Sequence, residues 1–139
     1  MPLSPAAQKS LAKWREMAAK RDLADLESIV APDAIFRSPV AYPPYPGREA
    51  VCLVLRAAES VFEDFVYHRE FVSGPNDVGL EFSARIGDKK LKAIDLIRFD
   101  EAGLIQEFEV MVRPATGLMA LGAAMQAKLG RAGAKLKGG

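Results

Sequence analysis

Apolar positions along this chain recur at helical spacing in its first half and at strand spacing in its second. Ser4-Pro5 reads as a helix start, with Ser as the cap and Pro in the first turn. Ala7, Leu11, Trp14 and Ala18 then fall three or four residues apart through about Lys20, which predicts an amphipathic helix. Asp22 is placed to cap a second short helix whose buried side is Leu23, Leu26, Ile29 and Val30, with Pro32 ending it. Ala34 to Val40 predicts a short strand in which Ala34, Phe36 and Ser38 share a face. Arg48 to Glu63 predicts a third helix, with Val51, Leu55, Ala58 and Phe62 toward the core. Between them, Ala41-Tyr42-Pro43-Pro44-Tyr45-Pro46-Gly47 is a stiff aromatic loop in which Tyr42 and Tyr45 are candidates for a lid.

From Phe65 onward the period changes to two. Phe65–Val72, Val78–Ile86, Leu91–Phe99 and Leu104–Val112 read as strands, separated by turn clusters at 73–77, 87–90 and 100–103. Consecutive hairpins imply an antiparallel meander. After Arg113-Pro114, the spacing of Leu118, Leu121, Met125 and Leu129 predicts a last helix. The fold class is therefore α+β: N-terminal helices packed on a strongly curved antiparallel sheet, a cone closed by an extra C-terminal helix. Residues 1–130 form a single expected domain. Residues 131–139 carry no core-facing pattern and are expected to be a mobile basic tail.

Composition narrows the classes of function. Half of the residues are hydrophobic and 27% are charged, with a formal net charge of +1. Nothing in that balance argues for a nucleic-acid partner. The single cysteine, Cys52, excludes an intrachain disulfide and a cysteine-based metal cluster; its helical position makes it a packing residue. One histidine and a distant aspartate supply too few ligands for a metal site, and no cofactor is expected. The chain lacks an apolar run of membrane-spanning length and a signal-peptide pattern, so a cytoplasmic protein with no membrane partner is expected.

The candidate chemistry centres on Asp95. In Lys92-Ala93-Ile94-Asp95-Leu96-Ile97-Arg98-Phe99 it shares a face with Ala93, Ile97 and Phe99, while Ile94 and Leu96 lie on the other. A carboxyl group on a strand that is apolar on both sides is poorly solvated, so its charged form is disfavoured. In its neutral form it can donate a hydrogen bond or move a proton; the competing reading is a structural Asp that accepts from neighbours. The inward positions predict an internal cavity lined by Trp14, Phe36, Phe62, Phe82, Ile97 and Phe108, with Ser38, Tyr42, His68 and Val110 as further ligand-binding candidates. If His68 points inward, it is placed to relay a proton with Asp95.

Several local patterns carry a resemblance. They are Asp22-Leu23, Ile29-Val30, Pro32-Asp33-Ala34, Ser38-Pro39-Val40, Gly47-Arg48-Glu49-Ala50, Ala93-Ile94-Asp95-Leu96-Ile97-Arg98-Phe99-Asp100, and Gly103 with Ile105. In this order the chain resembles the NTF2-like superfamily, in the branch of SnoaL-like polyketide cyclases and ketosteroid isomerases, from about Leu11 to Val112. The resemblance implies a cone-shaped fold and gives Asp95 the place of the buried acid that isomerases use as a hydrogen-bond donor to an enolate. It also implies a carboxylate base where this chain has Ser38 and a Tyr donor where it has Trp14. A serine hydroxyl does not deprotonate a carbon acid without a base of its own, so steroid isomerisation by the usual mechanism is not expected.

Two functions follow from different classes. One is an isomerase-, cyclase- or hydrolase-like enzyme acting through Asp95 on a small apolar, cyclic or oxygenated molecule. The other is a non-catalytic ligand-binding or protein-interaction domain built on the same cone. Ile94, Leu96 and Met111 lie on the outward sheet face among Glu107, Glu109 and Arg85, a stripe that suits an isologous homodimer. Arg113 is placed at the pocket rim or in a salt bridge.

Overall fold

The computed structural model describes the backbone through Leu136 and the side chains through Gly130. The expected tail at 131–139 therefore falls outside the described side chains. The elements in chain order are α1 (Pro5–Lys20), a 3₁₀ turn (Leu26–Ile29), β1 (Val30–Arg37), β2 (Tyr45–Pro46), α2 (Arg48–Val61), β3 (Glu63–Ser73), β4 (Asp77–Ile86), β5 (Lys89–Phe99), β6 (Ile105–Arg113) and α3 (Ala115–Leu136). Ser4 caps α1 as its sequence predicts, its Oγ accepting from the Ala7 N–H at 3.1 Å.

One expected element differs. In place of a helix from Leu23 to Val30 there is a single 3₁₀ turn, and β1 starts at Val30, so Pro32 lies inside a strand and does not end a helix. The buried residues Leu23, Leu26 and Ile29 are spaced by three, the repeat of a 3₁₀ turn. Pro32 is tolerated because the pairing of β1 with β6 shifts register between Val30 and Ile35, where a missing N–H removes no ladder bond.

The six strands form one sheet in the order β2-β1-β6-β5-β4-β3. The stretch from β3 to β6 is the expected meander; β1 joins β6 in parallel. Residues directly opposite across strands share a face, so register defines the inner wall. One row is Phe36–Phe108–Ile97–Val78. The next is Val110–Asp95–Leu80, and a third is Val112–Ala93–Phe82–Tyr67. Helices α1 and α2 cover this face through Ala7, Leu11, Trp14, Val51, Val54 and Leu55, all buried. A fully buried Phe or Leu in such a wall contributes about 2–3 kcal/mol.

Helix α3 closes the remaining side. Gly117 lets it approach β5: a Cβ there would stand 2.8 Å from the Leu91 Cβ and 2.9 Å from the Lys90 carbonyl oxygen. Leu121 is buried beneath it. Cys52 is buried as a packing residue, and burial pushes its thiol up to about 11. Among the described residues no helix is long and apolar enough to cross a membrane.

Candidate functional site

Between the helices and the inner sheet face lies a cavity of about 90 Å³. Its walls are mostly apolar: Phe36, Tyr45, Leu55, Phe62, Phe82 and Phe108 come from five different elements and the turn after α2. The aromatic rings interlock. Trp14 meets Phe108 edge-on at 5.2 Å, Phe36 stacks on Phe108 at 6.0 Å, and Phe65 stacks on Phe82 at 4.6 Å. Ser38, Pro39 and Val40, which lie in the loop after β1 and not in the strand expected to run to Val40, and Met125 from α3 also line the cavity.

Asp95 is the acid on the sheet side of this apolar wall. It is 3% exposed, on the middle row of the inner face, and burial pushes its carboxyl up to about 7. The Tyr67 hydroxyl, which donates to Asp95 Oδ2 at 2.6 Å, moderates that rise. The Trp14 Nε1–H donates in turn to the Tyr67 oxygen at 2.9 Å. Burial next to Asp95 raises the Tyr67 phenol well above its ordinary value, so it remains a proton donor.

The polarity of this chain of bonds is fixed by its first member. An indole N–H only donates, so Tyr67 receives from Trp14 and its own proton goes to Oδ2. When Asp95 is neutral its proton therefore resides on Oδ1. That oxygen takes part in no hydrogen bond among the described residues. The arrangement leaves one acidic O–H for a molecule in the cavity.

Of the residues expected here, the cavity brings together Asp95, Trp14, Phe36, Ser38, Phe62, Phe82, Phe108 and Val110. Three expected ligand contacts lie elsewhere. Ile97 is buried in the core on the same face but outside the cavity lining, one row away from Asp95. Tyr42 is 93% exposed at the tip of its loop; Tyr45 turns inward instead, because β2 pairs it with Phe36 on β1. His68 is exposed and its Nε2 hydrogen-bonds Ser83 Oγ at 2.7 Å, so no relay to Asp95 forms. Strand alternation puts His68 on the face opposite its neighbour Tyr67.

Sequence reasoning missed Tyr67 for the same reason. In Phe65-Val66-Tyr67-His68 neither face is cleanly apolar, and the only histidine drew attention from the tyrosine beside it. The register Tyr67↔Phe82, with Phe82 two residues from the partner of Asp95, is what aims the hydroxyl. Arg21 and Glu59, also in the lining, carry no sequence signal of their own.

An apolar, helix-covered pocket with one buried carboxyl, built on a curved sheet, defines an α+β protein of the NTF2-like class. The SnoaL-like domain model matches residues 11–108, and the chain belongs to that family. A solved structure from Pseudomonas aeruginosa, described as a steroid delta-isomerase, is 49% identical over 96% of this chain and 98% of its own, with a TM-score of 0.92. A Silicibacter pomeroyi protein described as having a cystatin-like fold is 34% identical over 93% of this chain and 92% of its own (TM-score 0.84). An NTF2-like protein of Mesorhizobium loti shares the fold at 18% identity, over 82% of this chain and 100% of its own, with a TM-score of 0.69. Among curated proteins none matches the chain.

Proposed function

We propose that this protein binds a small apolar, cyclic or oxygenated molecule in the cavity, and that Asp95 donates a hydrogen bond from Oδ1 to a carbonyl or enolate oxygen on it. The observation that carries this reading is a buried carboxyl at about 7 whose one oxygen is held by Tyr67 and whose other has no hydrogen-bond partner among the described residues. A neutral acid in a water-poor wall stabilises developing negative charge on oxygen, which is what isomerase- and cyclase-type acid/base chemistry requires. The relative described as a steroid delta-isomerase supports that class.

Two substitutions narrow it. Ser38 lines the cavity where ketosteroid isomerases place their base, and the Trp14 N–H is engaged by Tyr67. Both favour a second reading, in which the pocket binds its ligand without turning it over. Fluorescence titration with 2-naphthol tests the shared part. Binding is expected, weakened about tenfold in Asp95→Ala and lost as pH rises through the Asp95 titration. Absence of binding, or equal binding by the two proteins, overturns the role of Asp95.

The second part of the proposal is assembly. Ile94, Leu96 and Met111 occupy the outer sheet face, Met111 half exposed, beside Glu107 and Glu109; the neighbouring cation is Arg98, opposite Glu107, while the expected Arg85 stands opposite Lys90 at the far end of β5. An apolar stripe with charges of both signs at its edges is self-complementary about a two-fold axis. Light scattering is expected to report a homodimer, and Met111→Lys a monomer; a wild-type monomer at tens of micromolar overturns it. A cytoplasmic location is proposed with it, and cell fractionation tests that.

A further inference from the structure

Trp14 is the chain's single tryptophan, and it reaches Asp95 only through Tyr67. Its ring is buried and held edge-on against Phe108 at 5.2 Å. Tyr67 is held as firmly: the Arg15 guanidinium lies over its ring at 5.3 Å, and Phe65 meets it edge-on at 4.8 Å. Two fixed rings thus set the bond from Trp14 Nε1 to the Tyr67 oxygen, and the next one, from that hydroxyl to Asp95 Oδ2 at 2.6 Å. The residue type matters as much as the distance. Indole is a neutral side chain that donates and never accepts. A serine, histidine or tyrosine at position 14 could accept from the Tyr67 hydroxyl, and the chain of bonds could then run the other way. With the indole in place, the Tyr67 oxygen is filled by a donor and its own hydrogen goes to Oδ2.

A neutral Asp95 then carries its proton on Oδ1, and that oxygen is open to the cavity. Among the described residues, a Glu59 oxygen is the one enclosed side-chain polar atom without a hydrogen bond; Oδ1, which has no such bond either, is therefore not enclosed. Without the indole the balance changes. The Tyr67 oxygen is left without a donor in an apolar wall, and the more acidic O–H of Asp95 can supply one from Oδ2. The proton then leaves the cavity side, and Oδ1 becomes a carbonyl acceptor. We propose that Trp14 is a positioning residue that holds the Asp95 proton on Oδ1, and so makes the pocket select a molecule presenting an acceptor oxygen, a ketone over an alcohol of the same shape. An alcohol that accepts from Oδ1 leaves its own O–H unpaired in that wall. The proposal rests on the reading of Asp95 as a donor and deepens it.

Three probes of one skeleton test this: acetophenone, 1-phenylethanol and isopropylbenzene, which has no polar atom. NMR titration gives the affinity of each, read as a ratio to isopropylbenzene within each protein, so a general loosening of the wall cancels. In the wild type the ketone ratio is expected to exceed the alcohol ratio. Trp14→Phe is expected to lower the ketone ratio about fivefold and to leave the alcohol ratio within about twofold. Tyr67→Phe removes the competing acceptor and is expected to keep the ketone ratio, and the double variant Trp14→Phe/Tyr67→Phe to recover it, which a merely structural loss would not do. Infrared difference spectra against Asp95→Asn, taken at a pH well below about 7, read the proton directly. The Asp95 carbonyl stretch, lowered by the Tyr67 O–H in the wild type, is expected to rise in Trp14→Phe and in Tyr67→Phe. The second variant keeps the Trp14 packing, so no rise there overturns the proposal even where Trp14→Phe fails to fold. An unmoved band in Trp14→Phe also overturns it, as does a ketone ratio that stays low in the double variant. A ketone ratio lowered by Asp95→Ala but not by Trp14→Phe removes the role of Trp14 and leaves Asp95 standing. If Asp95→Ala leaves that ratio unchanged, or if no probe binds, both readings fall.

Discussion

Asp95 and Glu81 sit on neighbouring strands, on opposite faces of one sheet, and both are almost fully buried. Their chemistry is opposite. Asp95 faces apolar side chains, with a tyrosine as its partner, and burial pushes its carboxyl up to about 7. Glu81 faces outward, where the Arg69 guanidinium grips both of its oxygens at 2.8 and 2.7 Å and holds its carboxyl down at about 2; Lys92 adds a second cation at 3.4 Å. Burial alone therefore does not decide the state of a carboxyl. A bidentate cation keeps one ionised, and its lack keeps the other protonated toward neutral pH.

The largest expected difference between the two faces is in packing. Phe108→Ala removes a ring that touches Trp14 and Phe36 and is expected to destabilise by about 3–5 kcal/mol. Met111→Ala, three residues on and outward, is expected to change the stability of the monomer by less than about 0.5 kcal/mol. Urea unfolding of the two variants measures this, and comparable losses would break the contrast between a packed face and an open one.

Next comes pH. Between the ordinary aspartate value and about 7 the native protein binds a proton at Asp95 that the unfolded chain has lost, so stability falls as pH rises through that window. The fall amounts to about 4 kcal/mol by pH 8. Asp95→Asn removes it. The variant is expected to match the wild type near pH 4 and to melt at a higher temperature at pH 8. Glu81 works the other way: its stabilisation is complete above the ordinary glutamate value and is lost as pH falls toward 2. Arg69→Gln is expected to move that acid limb upward and to leave the Asp95 window where it is, as read by melting curves from pH 2 to 8.

A smaller effect is expected at Tyr67. Tyr67→Phe deprives the Trp14 N–H and Asp95 Oδ2 of their partners, and a loss of about 1–3 kcal/mol is expected. Because the Tyr67 hydroxyl lowers the Asp95 value, its removal is expected to push the Asp95 titration above about 7 in a carboxyl NMR experiment. A downward move would mean that Tyr67 does not donate to Asp95.

Local signals made much of this protein legible. The Ser4-Pro5 start, the two-residue alternation of β4, β5 and β6, and the turns between them are written in residues close in sequence, and so is the α+β class. The burial of Asp95 follows from its immediate neighbours: a strand apolar on both faces hides its central side chain whichever way it turns. The local patterns around Ser38, Gly47 and Asp95 pointed to the family that the domain match shows.

What needed the tertiary structure is what depends on register and on contacts between distant segments. The short stretch before Pro32 has too few residues for periodicity to separate a helix from a 3₁₀ turn and a strand; the parallel pairing with β6 decides for the strand. Tyr67, 28 residues from Asp95 and 53 from Trp14, meets them only because β3 is paired to β4 and α1 lies across the sheet. The choice between Tyr67 and His68 for the inner face, and between Tyr45 and Tyr42, is a one-residue matter of strand register. The sequence by itself determined that a carboxyl would be buried. Only the fold decided that its partner is a phenol on one face while its neighbour Glu81 meets a guanidinium on the other, because a partner's identity depends on which strands pair and which face each side chain takes.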